Sequence, residues 1–190
     1  EVVTGNTYCD TVGERFIIPL GLESTGPSNQ RNLPRLARGY VSSASGLGLP
    51  AMTTGDDGTM LWNPAIEWTG GGLYSTSNDL AIWGRAFLSG RLLSQAMYEQ
   101  ATTGVPADAS DMMALYGLGI AIRTDSAFGP VYGHRGWIPG YVSSLQYYAD
   151  FDKASAYQIN TDIGIIDVER PNMLEIEERL ARFILPSEVR

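Results

Sequence analysis

Lysine and histidine are almost missing from this 190-residue sequence: of its 13 basic residues only Lys153 is a lysine, and His134 is the sole histidine. Chemistry that needs a lysine amine or an imidazole has one position each to draw on. Cys9 is the only cysteine, which excludes an internal disulfide and a cysteine-based zinc cluster. No metal and no cofactor is expected. No apolar run approaches the ~20 residues that span a bilayer, and neither an internal repeat nor a low-complexity tract is visible. The chain starts at Glu1 with no methionine and no signal-like segment, so it reads as a piece of something longer. Positive charge is also scarce. The formal net charge of −8 repels nucleic acid and anionic membrane surfaces, and neither is expected as a partner.

What is present suits a folded chain. Hydrophobic residues make up 44% and aromatics 10%, enough for one domain or two lobes sharing a core. Residues 5–22 suggest a helix with Val12, Phe16 and Ile17 inward, ended by Pro19 and turned at Gly21. Residues 23–73 lack periodicity and are rich in Gly, Pro, Ser and Thr, with a turn expected at Asp56-Asp57-Gly58. So long an irregular stretch often lies beside a site.

The clearest helix signal follows. Thr76 is a candidate N-cap with Asp79 three residues on, in the form of a capping box. Leu80, Trp83 and Phe87 recur at helical spacing, and Gly90 stands where a C-cap belongs. A shorter helix is expected from Ser94. Residues 115–162 have the β-branched and aromatic content of strands, with a hairpin turn at Asp150 to Lys153. In the tail, 170–185, Pro171 suits a first helical turn. Met173, Ile176, Leu180, Phe183 and Ile184 form one apolar stripe, and Glu175, Glu177, Glu178, Arg179 and Arg182 fall mostly on a solvated face. The fold class is α+β: a helical lobe with a long excursion over 1–105, then an antiparallel sheet with a packed C-terminal helix over 106–190.

The most unusual string is VYGHRGWIPGYVSS, residues 131–144. A strand through it would present His134 at a sheet edge with small residues beside it, and glycine there lets a ligand approach the backbone. Locally this is weak, since a lone histidine is more often a surface or satisfied core residue than a catalytic one.

The stretch GHRGWIPGYVSSLQYYADFDKASAYQINTD (133–162) resembles the third signature, and the hairpin after it, of the serine β-lactamase and penicillin-binding-protein-like hydrolases. That signature is Lys-Thr-Gly in most members. His-x-Gly replaces it in the class C-like esterase and D-peptidase branch, and here it reads His134-Arg135-Gly136. Two further stretches are similar to the family in order and spacing: GGLYSTSNDLAIWGRAFLSGRLLS (71–94), and ERFIIPLGLESTG (14–26) with LPRLARGY (33–40). The resemblance runs from about Tyr8 to Leu185.

The family's mechanism is acyl transfer. A serine hydroxyl is a poor nucleophile near neutral pH, so a base must sit within hydrogen-bond reach. The family supplies this with Ser-x-x-Lys and Tyr-x-Asn. The only lysine here is preceded at three residues by Asp150, not serine, and none of the ten tyrosines has asparagine two residues on. Both signatures are absent, and in the family both lie N-terminal to the matched region. The resemblance therefore implies the C-terminal half of a serine hydrolase, inactive alone, acting as a whole on amide or ester bonds of β-lactam, D-peptide or ester substrates. The alternative is a non-catalytic binding module on the same scaffold. Expected partners are a small-molecule or peptide substrate and, at the sheet edge left open, the missing N-terminal half or a second copy. The resemblance also suggests the bacterial cell envelope, with the cytoplasm open.

Carried over by position, His134 would face the serine cluster, Gly136 would keep the strand open, and the Trp137 backbone N–H would be an oxyanion-hole donor. Arg135 either binds a substrate carboxylate or points to the opposite strand face, as alternation favours. The remaining features read as structural. Cys9 is a packed residue, Gly70-Gly71-Gly72 lacks the lysine of a phosphate loop, and Trp62, Trp68, Trp83 and Trp137 are mostly core candidates.

Overall fold

The computed structural model describes residues 1–33, 35–108, 111–167 and 173–186, apart from the side chains of 108 and 111–114. Within them the fold is α+β, with helices and an antiparallel sheet. Two compact units partition the chain. The first comprises Glu1–Asp79, Gly136–Ser143 and Gln158–Pro171; the second comprises Leu80–Arg135, Ser144–Tyr157 and Asn172–Arg190.

The first unit opens with α1 (Tyr8–Val12), a π turn over Gly13–Ile17 and α2 (Ile18–Leu20). Pro19 does not end this segment, as its sequence suggests, but sits in the first turn of α2. A π turn widens the backbone just ahead of the ring, where an α-helical carbonyl would clash with it. The helix stops instead at Gly21, left-handed at φ 64°. The excursion that follows is ordered by short pairings. Gly58 (φ +79°) closes the expected turn with its N–H on the Gly55 carbonyl at 3.1 Å, and the Asp57 carboxylate accepts from the Thr59 N–H at 2.9 Å. Thr53 and Met60 beside this turn are buried. Strand β1 (Gly26–Pro27) pairs antiparallel with β2 (Leu73–Tyr74), and α3 (Trp68–Gly71) lies between them in sequence.

Helix α4 (Ser77–Leu88) begins where the sequence indicates, with the Asp79 N–H donating to Thr76 Oγ1 at 3.3 Å. The Asp79 carboxylate is put to a different use from a capping box. It is buried, and it accepts from the Ser24 N–H at 2.8 Å and the Thr25 hydroxyl at 2.9 Å, 55 and 54 residues away. Gly90, left-handed at φ +79°, caps the other end through the Phe87 carbonyl. Helix α5 (Gln95–Thr102) starts at Ser94, whose hydroxyl accepts from the Met97 N–H.

Six consecutive strands form one sheet in chain order: β3 (Val105–Asp108), β4 (Asp111–Tyr116), β5 (Ala121–Arg123), β6 (Val131–Ile138), β7 (Tyr141–Tyr148) and β8 (Lys153–Ile159). Short connections produce this order, because a chain that turns back within a few residues pairs with the strand it has just left. In the second unit Leu88, Ile120, Ile122, Leu145 and Tyr147 form one buried cluster. Phe128, Val131, Tyr148, Ala181 and Leu185 form another, the last two from α6 (Met173–Ile184) and its end. Pro171, expected in the first turn of this helix, lies outside the described residues.

Two expectations for α6 change. Phe183 is 81% exposed, while Glu177, read as solvated, is 1% exposed. The buried positions Met173, Glu177, Ala181 and Leu185 follow a strict four-residue step, a narrow stripe that takes in the acid and leaves out the phenylalanine. Two of the tryptophans are not core either: Trp68 is 56% and Trp137 44% exposed, whereas Trp83 is half-buried against the cluster around Leu88 and Leu145 and stacked on Phe87 at 5.1 Å.

The hairpin between β7 and β8 turns at Asp152, left-handed at φ 47°. Its carboxylate takes the Arg85 and Arg91 guanidinium groups, each at 2.6 Å. These hold its acid below the usual carboxylate range, the Arg85 hydrogen bond first among the causes. A depressed folded-state value adds stability above the unfolded value, about 3.9, and loses it as pH falls through the folded one. Asp152→Asn is therefore expected to flatten the decline of Tm with falling pH below about 4; scanning calorimetry across that range gives the same slope for both proteins if the pair contributes nothing.

Candidate active site

The site is built on β6. Its turn into β7 runs through Pro139-Gly140, where Gly140 is left-handed at φ +84°. A Cβ at Gly140 would meet Thr53 Cγ2 at 2.5 Å, so both space and conformation require glycine there. The carboxylate of Asp162, 0% exposed, anchors this turn. It accepts from the Ser42 N–H at 2.6 Å, the Trp137 indole N–H at 2.9 Å and the Gly140 N–H at 3.1 Å. Three donors replace the water that a buried carboxylate loses.

His134 is solvent-exposed on the strand, with Nε2 2.7 Å from the Tyr116 hydroxyl and the rings edge-on at 73°. Which atom donates depends on the imidazole tautomer. Register explains the meeting. Tyr116 stands opposite Ala121, and Ala121 opposite Gly133, so only a methyl group and a hydrogen follow the tyrosine along that row. The phenol is left free to extend toward residue 134.

Arg135, the next residue, does something else. Its Nε and Nη2 donate to the two carboxylate oxygens of Glu177 at 2.7 and 2.6 Å, a bidentate pair. The Ser144 hydroxyl on β7 donates to the same carboxylate at 2.7 Å. Burial, and then the Glu177 charge, push the neighbouring Tyr157 phenol up to about 12. The guanidinium is thus engaged by the protein's own carboxylate. Gly136 is half-buried, and a Cβ on it would come 2.6 Å from Ser143 Oγ. Trp137 keeps 44% of its surface exposed while its indole N–H is bound to Asp162.

Sequence reasoning named His134, Arg135, Gly136 and Trp137 and missed Tyr116, Asp162 and Glu177. Tyr116 stands in the quoted string YGLGIAIRT and Asp162 ends the string INTD, but nothing local marks either as a partner of residues 18 and 25 positions away. No group of three or more His, Cys, Asp or Glu side chains among the described residues could hold a metal ion.

The β-lactamase family model matches residues 1–177. The chain belongs to the β-lactamase family. Among solved structures, a D-stereospecific amidohydrolase from Streptomyces sp. is 32% identical, with a TM-score of 0.71 over 84% of this chain and 46% of its own. The D-amino acid amidase of Ochrobactrum anthropi SV3, complexed with D-phenylalanine, is 25% identical, with a TM-score of 0.74 over 100% of this chain and 55% of its own. A penicillin binding protein from Bacillus halodurans, 20% identical with a TM-score of 0.60 over 84% of this chain and 46% of its own, shares the fold. The chain spans about half the length of these relatives. No functionally curated protein matches it.

The two glycines of this β-lactamase-family strand make different demands. A Cβ at Gly133 would overlap the Leu145 carbonyl, which is backbone and cannot turn aside, whereas Ser143 Oγ beside Gly136 can rotate away. Gly133→Ala is expected to lose about 1–3 kcal/mol in urea denaturation and Gly136→Ala clearly less. Equal losses would mean that Gly136, too, is fixed by packing rather than left open for a ligand.

Proposed function

We propose that this chain supplies one wall of the active site of a serine hydrolase that cleaves amide bonds of D-configured amino-acid derivatives, with the nucleophile outside these 190 residues. The carrying observation is the exposed His134, hydrogen-bonded to Tyr116 and followed two residues on by Gly136. The direction of the substrate assignment is supported by relatives described as a D-stereospecific amidohydrolase and a D-amino acid amidase.

In this reading a serine with its own general base attacks the carbonyl. His134 faces the reacting centre as a hydrogen-bonding group whose tautomer Tyr116 governs. The Trp137 backbone N–H is the second donor to the developing oxyanion, where preorganised donors contribute most because charge builds up in the transition state. Gly136 leaves the substrate room to lie along the strand. Arg135 commits its Nε and Nη2 to Glu177, and in this reading it serves the strand rather than a substrate carboxylate. The sheet order ends on β8, and the outer edge of that strand receives the N-terminal part of the same protein or a second copy, because an open ladder of N–H and C=O groups recruits a partner strand.

The test compares the isolated chain with the full gene product on D-phenylalanine amide, a p-nitrophenyl ester and a chromogenic cephalosporin. The isolated chain is expected to turn over none of them. The full product is expected to cleave the D-amide, to be acylated by a serine-directed probe outside residues 1–190, and to lose about 100-fold or more in kcat/KM with His134→Ala. Serine-dependent turnover by the isolated chain, or an upstream sequence without Ser-x-x-Lys, would sink the proposal; the latter would leave a binding module on a hydrolase scaffold.

A further inference from the structure

We infer that Glu177, on the C-terminal helix, is a positioning residue for His134, acting through Arg135. Consecutive residues on a strand point to opposite faces, so a strand's roll about its own axis decides where each side chain aims. At Arg135 that roll is fixed from one face. The guanidinium fork lies flat against both oxygens of Glu177, at 2.7 and 2.6 Å, and such a bidentate pair fixes an angle as well as a distance. Glu177 itself cannot move far. It is 1% exposed in a helical stripe with Met173 and Ala181, and its carboxylate also accepts from the Ser144 hydroxyl on β7 at 2.7 Å. A single carboxylate therefore ties β6 and β7 to α6, one residue along from the imidazole.

A pair serving stability alone does not need this arrangement. Apolar residues of similar volume commonly replace a buried ion pair at no loss. An apolar pair, however, has no fork and sets no angle. The geometry gives Glu177 the task of holding β6 so that His134, on the other face, meets Tyr116 at 2.7 Å.

The inference rests on the proposed function for its activity readout and is independent of it for its spectroscopic one. The decisive variant is the double replacement Arg135→Met with Glu177→Leu, which keeps side-chain volume and leaves no buried charge unpaired. In the 190-residue chain it is expected to unfold within a few degrees of the parent. It should lose the nuclear Overhauser contact between the His134 and Tyr116 rings. In the full-length hydrolase kcat is expected to fall about 10- to 100-fold with KM nearly unchanged, the mark of a misaimed rather than a missing group. If the double variant keeps the ring contact, the inference is overturned, whatever the activity. Should the full-length protein lack activity altogether, the proposed function fails and the ring contact alone decides the role of Glu177. If the double variant unfolds, Glu177→Gln, which keeps an acceptor for Ser144 and one arm for Arg135, is read by the same ring contact: weakening supports the inference and an unchanged contact overturns it.

Discussion

Burying a carboxylate costs several kcal/mol unless donors replace the water it gives up, and that constraint organises each of the two units. Three acids with almost no solvent access, Asp79, Asp162 and Glu177, each gather donors from parts of the chain far apart in sequence. Asp162 takes N–H groups from residues 42, 137 and 140; Glu177 takes Arg135 and Ser144; Asp79 takes Ser24 and Thr25. An apolar cluster gives cohesion without direction. These acids give direction, because a hydrogen bond loses most of its strength when its angle is wrong. They fix turns, strand roll and a helix start in a chain with few long regular elements.

The functional consequence lies in the division of labour along one strand. Arg135 and the Trp137 indole are committed to buried carboxylates, whereas His134 is exposed and bound by a phenol that is itself partly exposed, and Gly136 has no side chain at all. Positions tied to buried carboxylates alternate with positions that are not. In the proposed function this strand is one wall of a site, and such a wall must be rigid, yet the face it offers must not be used up by the fold.

Much of the fold was legible in the sequence because it depends on local rules. The start of α4 at Thr76, its stop at Gly90, the start of α5 at Ser94 and the turns at Gly58 and Asp152 follow from side chains that bond backbone within four residues or tolerate positive φ. The misreadings share one cause. Pro19 within a helix, Glu177 in the interior, Phe183 in solvent and the exposed Trp68 and Trp137 all contradict single-residue preference, and each depends on neighbours that periodicity cannot supply. Helical spacing gives a stripe, but not which of two adjoining stripes faces the sheet.

By itself the sequence determined the family, the α+β class and the four-residue run His134 to Trp137. It also determined that Ser-x-x-Lys is absent, because a count of one lysine is independent of folding. Only the tertiary structure decided what those four residues do: that Tyr116 meets the imidazole, that Arg135 is taken by Glu177, and that the Trp137 indole is held by Asp162. The reason is physical. A side chain's residue type fixes what it can bond, but its partner is set by strand register and helix rotation, which arise from burying apolar surface across the whole unit.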